Sequence, residues 1–144
     1  MPNLSDRMSE PSTAIRPWVV MTTKENTMTY VDGFVLPVPN AEWEEYTKNA
    51  ELGRTVWMEH GALSYVEAKA DDVPNGELTS FPMAVKKEEG DIIVFSYVTY
   101  KSREHRNEVM KNVMSDPRMK TSMDKMPAYM KRLIYGGFQV FVEA

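Results

Sequence analysis

The chain contains no cysteine, which removes disulfides, thiolate nucleophiles and cysteine-ligated zinc together and fits a reducing compartment. Histidine is nearly as scarce. His60 and His105 are the only two, so a metal centre would have to gather carboxylates from separate elements, and neither a metal nor a tightly held cofactor is expected. No apolar run approaches the roughly 20 residues that a membrane-spanning helix needs, and Trp18-Val-Val-Met21 is too short for the core of a signal peptide. Cationic excess is missing too, with 17 Lys and Arg against 21 Asp and Glu for a formal net charge of −4. Nucleic-acid binding needs clustered positive charge, and Met130-Lys-Arg-Leu133 is too short to provide it. A soluble chain, expected in the cytoplasm, with neither membrane nor nucleic acid as a partner, is what these absences leave.

What is present is enough for one folded unit. A chain of 144 residues buries roughly 70% of its unfolded surface without needing a staple. Residues 1–28 are rich in Ser, Thr, Pro and Met, are broken by Pro2, Pro11 and Pro17, and read as a mobile tail. An alternative is that translation starts at Met28, two residues before the first convincing strand. Residues 29–144 read as a single domain.

The clearest element is Asp91–Tyr100, an apolar, β-branched and aromatic run with no fully polar face, as expected of a strand covered on both sides. Tyr30–Leu36 is a second strand, ended by Pro37 and Pro39, which cannot donate to a ladder. Asn40 suits an N-cap for a helix from Ala41 to about His60, whose stripe is Trp43, Tyr46, Ala50, Gly53, Val56 and Trp57, with Gly61 as its stop. Ala62–Ala70 is a strand, and Asp71-Asp-Val-Pro-Asn-Gly76 is turn chemistry. Phe81–Lys87 fits either a short helix capped by Ser80 or a short strand. Ser102 caps a helix running to about Ser115 that Asp116-Pro117 ends. Residues 118–133 read as a helical turn and a loop, and Tyr135–Val142 is the last strand. The order predicts an α+β, ferredoxin-like βαββαβ domain with a four-stranded antiparallel sheet.

Sorting the strands by parity separates two faces. One set holds Val31, Val35, Val66, Val94, Ser96 and Val98, small and mostly aliphatic, and is expected beneath the helices. The other holds Tyr30, Asp32, Phe34, Tyr65, Glu67, Phe95, Tyr97 and Tyr135, too aromatic to face water. A sheet with helices on one side only would leave that face exposed, which predicts a partner or ligand. The expectation is therefore a homodimer joined across it, with Asp32, Tyr65, Glu67 and Tyr97 around a partly polar space that takes a small organic molecule.

Several segments also resemble a known family. Tyr30-Val-Asp-Gly-Phe-Val35, Gly61-Ala-Leu63, Asp72-Val-Pro-Asn-Gly76, Ala84-Val-Lys86, Val94-Phe-Ser96, Met114-Ser-Asp-Pro-Arg-Met119 and Ile134-Tyr-Gly-Gly-Phe138 are similar, in order, to the YbaA-like bacterial proteins, a family of unknown function. The resemblance implies the dimeric α/β-barrel superfamily, whose ferredoxin-like subunits pair sheet to sheet. It brings no catalytic residues. Superfamily relatives include cofactor-free oxygenases, haem-associated enzymes and binding modules, so a cofactor-independent oxygenase or isomerase and a purely structural dimer stand as alternatives to binding.

The sharpest catalytic reading of the residues uses Asp32 and Glu67 as an acid–base pair, with Tyr97 or Tyr65 donating. Against it stands simple pairing of either carboxylate with Lys69, Arg132 or the partner subunit. Arg118 in Asp116-Pro-Arg118 suits an anion clamp or, more simply, a turn that ends a helix. Gly136-Gly137 is no phosphate loop, because the strand runs through it, and close backbone packing explains it better. Trp43 and Trp57 are read as core.

Overall fold

The computed structural model describes residues 29–144. Both readings of residues 1–28 lie outside the described residues. Four strands, β1 (Tyr30–Pro39), β2 (Ser64–Lys69), β3 (Asp91–Tyr100) and β4 (Ile134–Gln139), form one open antiparallel sheet in the order β2-β3-β1-β4. Four helices join them: α1 (Trp43–Glu59), the single turn α2 (Phe81–Ala84), α3 (Arg103–Met114) and α4 (Pro117–Met123). The architecture is α+β.

The local chemistry of each boundary is plain. β1 runs through Pro37 and Pro39 rather than stopping before them. Val140 donates its amide to the Thr29 carbonyl at 3.0 Å and Asn40 donates to the Gly90 carbonyl at 3.0 Å, so odd-numbered β1 residues bond toward β4 and even-numbered ones toward β3. The missing amides of Pro37 and Pro39 therefore point to the β4 side, where β4 has ended opposite Val35. Asn40 opens a 3₁₀ turn with no side-chain cap, and α1 begins after it at Trp43. The segment at Phe81 resolves as a helix, its N-cap Ser80 Oγ accepting from the Met83 amide at 3.1 Å. Ser102 caps α3 through the His105 amide at 3.0 Å. Asp116 both follows α3 and caps α4, accepting from the Arg118 amide at 2.9 Å.

Helices α1 and α3 cover one face only. Val56 of α1 and Val109 and Val113 of α3 are fully buried against Tyr30, Val98 and Tyr100, each valine contributing roughly 1.5–2 kcal/mol of apolar burial. A second cluster joins Leu36, Val38 and Val94 to Tyr129, with Trp43 and Tyr46 packed on it. Ion pairing closes the turn before β3. Asp91 accepts from Arg132 Nη1 at 2.8 Å and from the Glu88 amide at 2.8 Å, while Arg132 also donates to the Lys86 carbonyl at 2.8 Å.

The register corrects the expected faces. Tyr30 lies opposite Tyr100, Asp32 opposite Val98 and Phe34 opposite Ser96, while Tyr65 and Glu67 lie opposite Val98 and Ser96. For β3 the expectation holds: Val94, Ser96 and Val98 face the helices, and Phe95, Tyr97 and Thr99 face away. For β1, β2 and β4 it is inverted, Tyr135 sharing the helix-side face with Phe34 and Phe138 the open face with Val31. Tyr30, Asp32, Phe34, Tyr65 and Glu67 lie beneath the helices, and Val31, Val35 and Val66 lie on the open face. The reason is that directly opposed residues in an antiparallel pair share a face, a relation that parity within each strand cannot supply.

Gly137 shows how tightly the helix side is filled near the β4 edge. A Cβ there would lie 2.3 Å from Arg106 Nη2 and 2.4 Å from the Tyr30 hydroxyl, whereas one at Gly33, on the open face, would meet nothing within 4 Å. Gly137→Ala is expected to cost about 1–3 kcal/mol. Gly33→Ala is expected to be neutral or stabilising by about 0.5 kcal/mol, and urea unfolding of the two variants checks the contrast.

Candidate functional site

Three of the four expected ligand contacts, Asp32, Tyr65 and Glu67, share the helix side of the sheet, and Tyr97 is on the opposite face. Asp32 projects from the central strand β1 and is 7% exposed, so its carboxylate needs partners. Arg106, near the start of α3, provides the main one, with Nε 3.2 Å from Asp32 Oδ1. The same guanidinium lies 5.0 Å over the Tyr30 ring and donates from Nη2 to the Tyr30 hydroxyl at 3.1 Å. Tyr100 donates its hydroxyl to Asp32 and accepts from Trp57 Nε1 at 3.2 Å. Arg106 Nε is buried and meets Asp32 as an ion pair without hydrogen-bond geometry. Burial pushes the Asp32 carboxyl above the usual carboxylate value, and Arg106 and Tyr100 offset only part of that rise.

Glu67 forms a second group. Tyr65 donates to its Oε2 at 2.6 Å and Tyr46, from α1, donates to Oε1. Burial, and then the facing Glu67 carboxylate, push both phenols well above their ordinary range. Tyr65 fits only because Gly53 lacks a side chain: a Cβ there would stand 2.6 Å from its hydroxyl. Trp57 connects the two groups, packing on Tyr65 with ring centroids 5.8 Å apart while bonding Tyr100. Asp32 and Glu67 are thus separate centres on one face, each satisfied from within the chain. Their geometry ties α3 to β1, α1 to β2 and α1 to β3, which fixes the helices on the sheet.

The partners are not the ones expected from the sequence. Lys69 sits 5.4 Å over the Trp43 ring and Arg132 pairs with Asp91, leaving Arg106, Tyr46, Tyr100 and Trp57 as the residues that sequence reasoning missed. One signal was available: Arg106 falls on the stripe of Val109 and Val113, and a cation in an apolar stripe implies a buried anion. Arg118 closes onto Asp116 and Glu59, both at 2.8 Å, and Asp116 is held well below the usual carboxylate range, first by Arg118 and then by His60 at 2.9 Å. His105 Nδ1 accepts the Lys101 amide at 2.9 Å. Gly137 is pressed by the side chains of Arg106 and Tyr30 rather than by backbone. Among the described residues no group of three or more His, Asp or Glu side chains is placed to hold a metal ion, and no helix is long and apolar enough to cross a membrane.

The open face is different in kind. Phe95 is 44% exposed, packs edge-on against Phe81 at 6.1 Å and lies 6.2 Å from the Tyr97 ring. Between α2 and the sheet Phe81 and Phe95 border a recess of about 240 Å³ lined also by Ala68, Lys69, Ala70, Asp71, Val73 and Ile93.

Fold and site together define an α+β protein with one open antiparallel sheet, an internally paired polar seam under its two long helices and an opposite face, largely apolar, that only the region of α2 packs against. The chain belongs to the family described as "Protein of unknown function (DUF1428)", whose profile matches residues 29–130. It is 46% identical over 116 residues to the "Uncharacterized protein YbaA" of Escherichia coli strain K12, covering 81% of this chain and 99% of that protein. The YbaA proteins of Escherichia coli O157:H7 and Shigella flexneri match to the same extent. Among solved structures, "De novo designed protein Foldit4" aligns with 80% of this chain and 99% of its own at 9% identity and a TM-score of 0.39.

The pKa of Asp32 carries a stability prediction. A carboxyl whose folded pKa lies above its unfolded one binds its proton more tightly when folded. Its contribution is therefore present at low pH and lost as pH rises through the folded pKa. Urea unfolding from pH 3 to pH 7 is expected to show the parent losing stability relative to Asp32→Asn as pH rises. A difference independent of pH would remove Asp32 from this role.

Proposed function

We propose that this protein is a self-pairing binding protein: two copies join open face to open face and hold a small organic molecule in the apolar space beside β2 and β3. The observation that carries the reading is the exposure of Phe95 beside Tyr97 on a face that neither long helix covers and that only the turn α2 and the segment after it pack against. An apolar patch of that kind marks an interaction site. The strand order and the two crossover helices support a ferredoxin-like assignment, and sheet-to-sheet pairing of two such subunits makes a dimeric α/β barrel. Cytoplasmic residence is part of the same reading and rests on the absence of cysteine.

A ligand in this space meets Phe95 and Phe81 first. Its chemistry follows from the lining: an open recess of about 240 Å³ walled mainly by aromatic and aliphatic side chains, with Lys69 and Asp71 also lining it, suits a small, largely apolar organic molecule. Asp32, Tyr65 and Glu67 act from behind the sheet, holding the helices that set its curvature. Because both carboxylates already have internal partners, the arrangement favours binding over acid–base catalysis. Ligand removal would cost stability that grows with the logarithm of the ratio of free ligand to its dissociation constant.

Sedimentation of the parent and of Phe95→Glu tests the pairing, with a naphthalene-type fluorescent probe added to each. The parent is expected to sediment as a dimer or larger. Phe95→Glu is expected to lose the face-to-face contact and to bind the probe about tenfold more weakly. An unchanged sedimentation coefficient in Phe95→Glu would sink the face-to-face pairing, and unchanged probe affinity would sink the ligand assignment.

A further inference from the structure

The recess under α2 has a polar end that an apolar ligand leaves unused. A second hollow, of about 290 Å³, shares its floor: Ala70, Val73 and Ile93 line both, and Asn75, Pro82 and Lys87 take the place of Phe81 and Phe95. Four charged residues border this end, Lys69, Asp71, Lys87 and Asp91. Two are already engaged. The Asp91 carboxylate accepts from Arg132 Nη1 and from the Glu88 amide, both at 2.8 Å, and the Lys69 ammonium lies 5.4 Å over the ring of Trp43, which packs with Leu36, Val38 and Val94 on the helix side of the sheet. The other two are not. Asp71 is exposed and makes no hydrogen bond or ion pair among the described residues. Lys87 Nζ makes one long bond, 3.4 Å to the Glu88 carbonyl, so two of its three donors stay open.

The backbone adds an acceptor to the same wall. Asn40 donates to the Gly90 carbonyl, so even-numbered β3 residues bond toward β1, and odd-numbered ones turn toward β2, where the Ala70 amide donates to the Ile93 carbonyl at 2.8 Å. Asp91 stands two residues before Ile93, and its carbonyl points the same way. No β2 residue lies opposite it, because the strand ends at Lys69 and the chain turns away after Ala70. No backbone amide reaches that carbonyl, although Asp91 is only 8% exposed. A shielded, unpaired carbonyl calls for a donor.

We propose that the recess takes a small zwitterion with an apolar body, of the α-amino acid class. Its side chain lies against Phe81 and Phe95, its ammonium donates to the Asp91 carbonyl and faces the Asp71 carboxylate, and its carboxylate meets Lys87. The proposal rests on the ligand space beside β2 and β3 and adds the head group to it. An acid or an amine would pair with one of the two open charges and bring like charge toward the other. A neutral ligand would pair with neither.

Four probes that share one ring system test the head group by equilibrium dialysis at neutral pH against the full chain: naphthylalanine, naphthylethylamine, naphthylpropanoate and naphthylethanol. Naphthylalanine is expected to bind about tenfold more tightly than the neutral naphthylethanol, with about threefold from each partly exposed charge. Lys87→Gln is expected to weaken naphthylalanine and naphthylpropanoate about threefold and to leave naphthylethylamine no weaker. Asp71→Asn is expected to weaken naphthylalanine and naphthylethylamine about threefold and to leave naphthylpropanoate no weaker. Both side chains are exposed, so thermal unfolding of the two variants is expected to match the parent. Naphthylalanine binding no more tightly than naphthylethanol, or affinities that neither variant changes, would overturn the zwitterion while the apolar ligand space stands. Failure of all four probes to bind would overturn both.

Discussion

A carboxylate placed beneath helices on the central strand of a sheet constrains everything around it. Asp32 is nearly inaccessible, and a buried charge left alone would be ruinous. Its needs recruit Arg106 from α3 and Tyr100 from β3. Arg106 in turn occupies the space that a side chain at residue 137 would take, so β4 must carry glycine there. Tyr100 holds Trp57, Trp57 packs on Tyr65, and Tyr65 shares Glu67 with Tyr46. A single buried charge is thereby connected through hydrogen bonds and ring contacts to both long helices and three strands. Breaking one partner leaves others unsatisfied, which is why such a seam specifies one arrangement of helices over the sheet.

The same seam explains what could and could not be read from the sequence. Strand identity was legible, because Asp91–Tyr100 and Ser64–Lys69 follow β-branched and aromatic preferences, and Ser102 announces a helix with its cap, whereas Phe81–Lys87 fitted a helix or a strand equally. Facing was not. Tyr30, Tyr65 and Glu67 look like residues of a wet or partnered surface, yet they lie under α1 and α3, the Tyr65 hydroxyl bonded to Glu67 and the Tyr30 hydroxyl to Arg106. Val31 and Val66 look like core, yet they lie on the side without long helices. Small aliphatic residues suit a helix-covered face and a partner-covered face equally well, and the pattern within one strand does not distinguish them. Cross-strand register is a non-local property, and it alone shows that Asp32 stands beside Val98 rather than Tyr97. Arg106 was the overlooked clue, a cation in an otherwise apolar helical stripe.

With these carboxylates occupied internally, the chemistry left for the open face is largely apolar. Phe81, Phe95, Tyr97 and Phe138 mark one face, and Tyr135 and Phe141 continue the apolar surface around the edge of β4. The division is sharp: polar groups hold the helices, and exposed rings await a partner. A family whose function is unknown is thus best approached through what covers this surface, since the features ordinarily searched for, paired acids or histidine clusters, are here part of the scaffold.

The central claim is that the open face is covered by a second copy while the polar seam belongs to each chain alone. Hydroxyl-radical footprinting across a dilution series tests this most directly. Phe95, Tyr97 and Phe138 are expected to be protected at high protein concentration and to become labelled on dilution, while Tyr100 and Trp57 keep the same labelling throughout. Labelling of Phe95 and Tyr97 that does not change with concentration would contradict the account.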